Sequence, residues 1–163
     1  MKRPVRLYNV IFPIWLLFLF PAMWLIALPG NLIIDCAVVF FTLLALKHAD
    51  KKAVLHHAWW KIWLLGFAAD LIGVLFLLPS MFLLGFLPEP WDTWLEPVMY
   101  NPFKSWLAFV LTLIAVALSG LCIYLFDRRA LRSCPALDDR QRHIVALTLA
   151  IVTAPWLFFV PMY

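Results

Sequence analysis

The stretch KIWLLGFAADLIGVLFLLP, residues 61–79, holds a single carboxylate, Asp70, inside an otherwise apolar run. A second acid, Asp35, sits in the apolar run that begins at Asn31. An acid in such surroundings carries a proton, binds a cation or accepts hydrogen bonds from a neighbouring helix. Thr42 and Ser119, also in apolar runs, add hydroxyl oxygens of the kind that hard cations and proton relays use.

Whether these groups can meet is a question of depth. At 1.5 Å per helical residue, Asp70 lies about 14 Å above Lys61, Asp35 about 18 Å above Lys47, and Ser119 about 12 Å above Asp127. These heights agree to within about one turn in a hydrocarbon layer of about 30 Å. Asp35, Asp70, Ser119 and Thr42 therefore form the expected ion or proton site. No Lys, Arg or His lies well inside an apolar run, so only a proton or a bound cation is available to neutralise the acids. The plainer alternative gives each acid a structural task. Asp35 would then stabilise the positive end of a helix capped at Asn31, and a neutral Asp70 would hydrogen-bond across a helix seam.

Gly66, Asp70 and Gly73 stand at i, i+4 and i+7, on one helix face. Ala115, Ser119 and Cys122 make a similar stripe of small residues further on. Small residues let helices approach closely in lipid, so Gly66, Gly73 and Ala115 are the expected helix-packing face. Asp70 is thereby turned toward protein, in the bundle or at an oligomer interface.

Other chemistry has little support. The four histidines, His48, His56, His57 and His143, lack metal-ligand spacing, and adjacent histidines point in different directions on a helix. Cys36, Cys122 and Cys134 suggest neither a disulfide framework nor a metal site. There is no phosphate loop, no HExxH, and no nucleophile, base and acid at a common depth. No cofactor and no metal is expected, and an intramembrane enzyme ranks third, behind a transport component and an assembly subunit.

The elements that must hold these residues follow from composition. Of 163 residues, 66% are hydrophobic and only 13% charged, with a mean hydropathy of +0.94. A soluble domain, about a quarter charged, does not look like this. The chain reads as an all-α membrane protein, one integral membrane domain over 1–163. Five stretches are long enough to cross: 7–28, 31–47, 59–86, 104–126 and 143–161. Pro29-Gly30-Asn31 predicts a tight helical hairpin between the first two. The first stretch lacks a small-residue cleavage site and reads as a retained span rather than a signal peptide. Between the third and fourth, Trp91, Trp94, Leu95 and Val98 at helical spacing predict a short outer interfacial helix, against the alternative of an irregular proline-rich loop.

All the lysines and arginines except Lys104 fall on one side of this five-span arrangement. The positive-inside rule makes that side cytoplasmic, with the N-terminus inside and the C-terminus outside the cytoplasmic membrane. The formal charge of +4 is thereby explained by topology, with no call for a nucleic-acid partner. The expected partners are the lipid bilayer and either further copies of the chain or another membrane protein. Two functions fit: a proton- or cation-conducting or transport component built on Asp70, or a non-catalytic assembly subunit of a larger membrane complex.

Overall fold

In the computed structural model, residues 14–162 are described, and among them the chain is all-helical. Four long helices dominate: α1, Pro21–Ala45; α2, Lys51–Leu83; α4, Trp106–Ala130; and α5, Asp139–Val152, which a further turn at Trp156–Phe159 prolongs. All four are long and apolar enough to cross a membrane. α1 packs on α2, α2 on α4 and α4 on α5, and α5 returns to α1 to close a ring.

The expected hairpin between residues 7–28 and 31–47 is not formed. A single helix of 25 residues runs through Pro29-Gly30-Asn31. It begins at Pro21, whose fixed φ and missing N–H suit the first helical position. Pro29 is tolerated inside an apolar helix where neighbouring groups take up the displaced backbone partners. Here the Trp63 indole donates to the Leu28 carbonyl at 2.7 Å, tying the proline turn to α2. Asn31, read as a helix cap, instead sends its amide across to α2. Among the described residues, four long helices thus stand where five spans are expected. Ile14–Leu19 form only a short 3₁₀ helix, and residues 7–13 lie outside the described part of the chain.

The short connections 46–50 and 131–138 lie at the same end of the bundle. His48 Nε2 hydrogen-bonds the Ala136 carbonyl at 2.8 Å, and Lys61 Nζ donates to Ser133 Oγ at 2.8 Å. This end carries Lys47, Lys51, Lys52, Arg128, Arg129, Arg132, Arg140 and Arg142. α1 closes there with Lys47 in the left-handed region, φ 53°, and the His48 N–H reaching back to the Leu43 carbonyl. α5 opens there with a capping box between Asp138 and Gln141. α2 spans 33 residues, about 50 Å, so its basic first turns extend past the apolar stretch.

The long connection 84–105 covers the opposite end. It contains the expected short helix, α3 at Trp91–Leu95, prolonged by a 3₁₀ turn at Glu96–Met99. Leu95 and Val98 face the core, while Trp91 is half exposed. Trp15 is buried here, with its indole on the Val98 carbonyl, and the Met162 N–H bonds the Tyr100 carbonyl. Residues 14–20 and 156–162 therefore sit at one end, whereas the five-span reading puts residues 14–20 inside the first span, 7–28. Lys2, Arg3 and Arg6, used in the expected orientation, lie outside the described residues.

Two apolar clusters fill the bundle. Val39, Leu43, Val54, Ile62, Ile123 and Leu149 belong to the one at the basic end. Trp15, Val74, Leu77, Val98, Val116 and Phe158 belong to the one under the long connection. The buried acids lie between and just inside these clusters.

Candidate functional site

Asp70 stands near the middle of α2 and is 4% exposed. Asn31 of α1 donates to its Oδ2 at 3.3 Å, while Oδ1 has no partner among the described residues. Four residues along α1, Asp35 is also buried, and its Oδ2 lies 3.4 Å from where a Cβ on Gly66 would stand. One turn along α1 toward the basic end is matched by one turn back along α2, as antiparallel neighbours require. Asp35 is the fifteenth residue of a helix that starts at Pro21. The dipole role expected for it at a helix start therefore does not apply, because the macrodipole acts within the terminal turn.

Asn31, Asp35 and Asp70 line a cleft of ≈ 370 Å³ between α1 and the end of α5. The opposite wall is Val152, Thr153, Ala154 and the Trp156–Phe159 turn, and Phe18 sits at one end. Apart from the two acids, Asn31 and Thr153, this lining is apolar. Thr153 Oγ1 is already committed to the Leu149 carbonyl at 2.9 Å.

The small-residue face is internal and tight. A Cβ on Gly73 would run into Ser119 Oγ, and would stand 3.1 Å from Phe158 and 3.2 Å from the Ala115 carbonyl. Gly73, Ala115 and Ser119 thus form one seam between α2 and α4, less than a turn from Asp70. Ser119 Oγ is fully buried and has no partner among the described residues. Gly66, by contrast, faces α1 and Asp35. Thr42 stands apart, about 10 Å along α1 from Asp35 toward the basic end, with its hydroxyl turned back to the Val38 carbonyl at 2.7 Å. Asp70 thus lies between Asp35, about a turn toward the basic end beside Gly66, and Ser119, about a turn the other way beside Gly73, while Thr42 lies about two turns beyond Asp35.

Sequence reasoning missed Asp127. Close to Arg128 and Arg129, it reads as the aqueous boundary of the fourth apolar run. In the structure it is 1% exposed, and neither carboxylate oxygen has a partner among the described residues. It continues the buried stripe of α4 through Thr112, Ala115, Ser119 and Ile123. That four-residue spacing was the available signal. Asp35 lies within electrostatic reach of both Asp70 and Asp127. The three carboxylates therefore make a column along the bundle, from the cleft toward the basic end. Among the described residues, no three His, Cys, Asp or Glu side chains converge tightly enough for a metal ion.

The histidines take local roles. His143 Nδ1 pairs with the Tyr124 hydroxyl at 3.0 Å, and His56 and His57 are exposed. A salt bridge from Arg128 to Asp139 at 3.6 Å is at the basic end, away from Asp70. Comparison with protein families, curated proteins and solved structures returns no match.

Proposed function

We propose that this chain is a polytopic protein of the cytoplasmic membrane that moves protons or small cations through the Asp70–Asp35–Asp127 column. The basic end faces the cytoplasm, by the excess of lysine and arginine on the short connections there. One observation carries the reading: Asp70 is buried near mid-helix with an unpartnered oxygen at the wall of a cleft. A buried acid held only for structure is expected to have its oxygens satisfied, because an orphaned polar atom costs about 1–3 kcal/mol. A group that exchanges its partner is left partly open.

The arrangement suits protons better than multivalent cations. Carboxylates strung along a helix pair pass a proton stepwise through intervening water, whereas a divalent ion needs six or more oxygens around one point. The acids lie on α1, α2 and α4, so relative tilting of these helices would alter the steps. Such a column also fits the lack of a salt bridge to Asp35, Asp70 or Asp127 among the described residues, since a permanent ion pair would hold each proton site in one state.

The test is flux in proteoliposomes of the purified chain under an imposed potential, read with internal pH and cation dyes. Wild type should pass current that Asp70→Asn removes, with the variant still folded by circular dichroism. Absence of flux for protons, sodium and potassium, together with stoichiometric co-purification of another membrane protein, would instead favour an assembly subunit.

A further inference from the structure

We propose that the cleft beside Asp70 receives an amphipathic organic monocation, its charged head against Asp70 and Asp35 and its apolar body along Ile34, Val152 and Leu157. The inference rests on the reading above, in that it uses the same acids, and it names a substrate class for them. Three features of the cleft select this chemistry. Its volume, ≈ 370 Å³, falls in the range of small-molecule sites. Its only ionisable groups are acids, Asp35 and Asp70, so an anion finds no positive partner there. Its remaining wall is apolar, and a small hydrated cation gains nothing from that surface.

A neutral apolar molecule fits the wall but leaves Asp70 Oδ1 without a partner. An organic cation answers both needs. It carries charge without a tightly held hydration shell, and its body fills the apolar groove. Phe18 and Trp156 bring aromatic rings to the cleft, and such faces attract soft cations. Asn31 keeps Asp70 Oδ2 in place through its amide N–H, and Oδ1, buried and without a partner among the described residues, is the acceptor that a small turn of the Asp70 side chain would bring to the ligand. The cleft opens on the side of the bundle between α1 and the end of α5, so the ligand enters from the apolar layer and an amphipathic molecule is already concentrated there.

Protons compete with this ligand for the same carboxylates. The titratable groups facing Asp70 are Asp35 from α1 and, through Asp35, Asp127 from α4; α5 and the turn after it bring no titratable residue to the cleft. Binding one monocation therefore displaces protons, and binding weakens as pH falls.

The experiment is equilibrium binding of radiolabelled tetraphenylphosphonium to the full chain purified in detergent. Wild type should bind it saturably, more weakly at acid pH, and without displacement by equal sodium or potassium. Asp70→Asn should weaken binding at least about thirtyfold, the loss expected when one side of a buried charge contact is removed, while Asp70→Glu retains it. No saturable binding to folded wild type, or equal binding by Asp70→Asn, overturns the inference. Proton flux measured without the probe separates the two readings. If flux depends on Asp70 but the probe does not bind, the organic-cation inference falls alone. If the probe binds at Asp70 and no ion moves, the conducting column falls alone.

Discussion

On its α4 side, α2 presents Gly73, so close to Ser119 and the Ala115 carbonyl that no side chain fits. On its α1 side, less than two turns away, it presents Gly66 with ordinary van der Waals room to Asp35, and Asp70 at the wall of a cleft. The same two ingredients, a glycine and an oxygen-bearing neighbour, thus give a closed seam at one level of α2 and an open polar site at another. The difference lies in what the partner helix brings. α4 brings Ala115 and Ser119 and comes near; α1 brings Asn31 and Asp35, whose bulk holds it away. Residue size sets the helix distance, and that distance decides whether an acid between helices is sealed or reachable.

Four substitutions press on this contrast. Gly73→Leu should be the most damaging, about 3 kcal/mol or more, because the side chain meets a backbone carbonyl that cannot move alone. Thermal unfolding in detergent should show little folded protein; a Tm near wild type would mean that the α2–α4 seam is looser than its geometry. Asp127→Leu should act in the opposite direction and stabilise by about 2 kcal/mol, since it replaces a buried carboxylate with no partner by an apolar group. Its Tm should rise while flux in proteoliposomes is lost. A lower Tm would show that Asp127 has partners supplied from outside the described chain.

On the open face the effects are smaller. Asn31→Ala should cost about 1 kcal/mol, through the lost hydrogen bond to Asp70 Oδ2, and the same unfolding assay should register it. Gly66→Ala should change stability by no more than about 0.5 kcal/mol, because its new Cβ lands at ordinary contact distance from Asp35. If Gly66→Ala and Gly73→Ala proved equally harmful, the two faces would not differ as described.

The helical class and most of the site were readable from the chain alone, for reasons that particular residues make plain. Asp70 was conspicuous because nothing around it in sequence was polar, and Gly66 and Gly73 marked its face by helical period. The continuous helix through Pro29 was not readable. Proline and glycine stop helices when water is the competing partner, whereas an apolar helix leaning on Trp63 has no better place for its backbone. Asn31 misled for a related reason, since a side chain that can cap its own helix can equally reach a carboxylate on another. Asp127 was hidden by its neighbours Arg128 and Arg129, which placed it at a boundary that the helix in fact carries inward. The cleft could not be read at all, because its far wall comes from residues more than eighty positions from Asp70.

The ring of helices has one seam unlike the rest. α1 meets α2, α2 meets α4 and α4 meets α5 across modest separations in sequence, but α1 meets α5 only after about ninety intervening residues. The Phe18 and Phe158 rings, 5.9 Å apart, lie on that seam. Contacts so distant along the chain carry the largest loop-closure entropy and form late. During synthesis α1, α2 and α4 can assemble while the place for α5 stands empty, with Asp35 and Asp70 on its open wall. The cleft is therefore finished only when α5 arrives, and the acids spend the earlier part of assembly exposed.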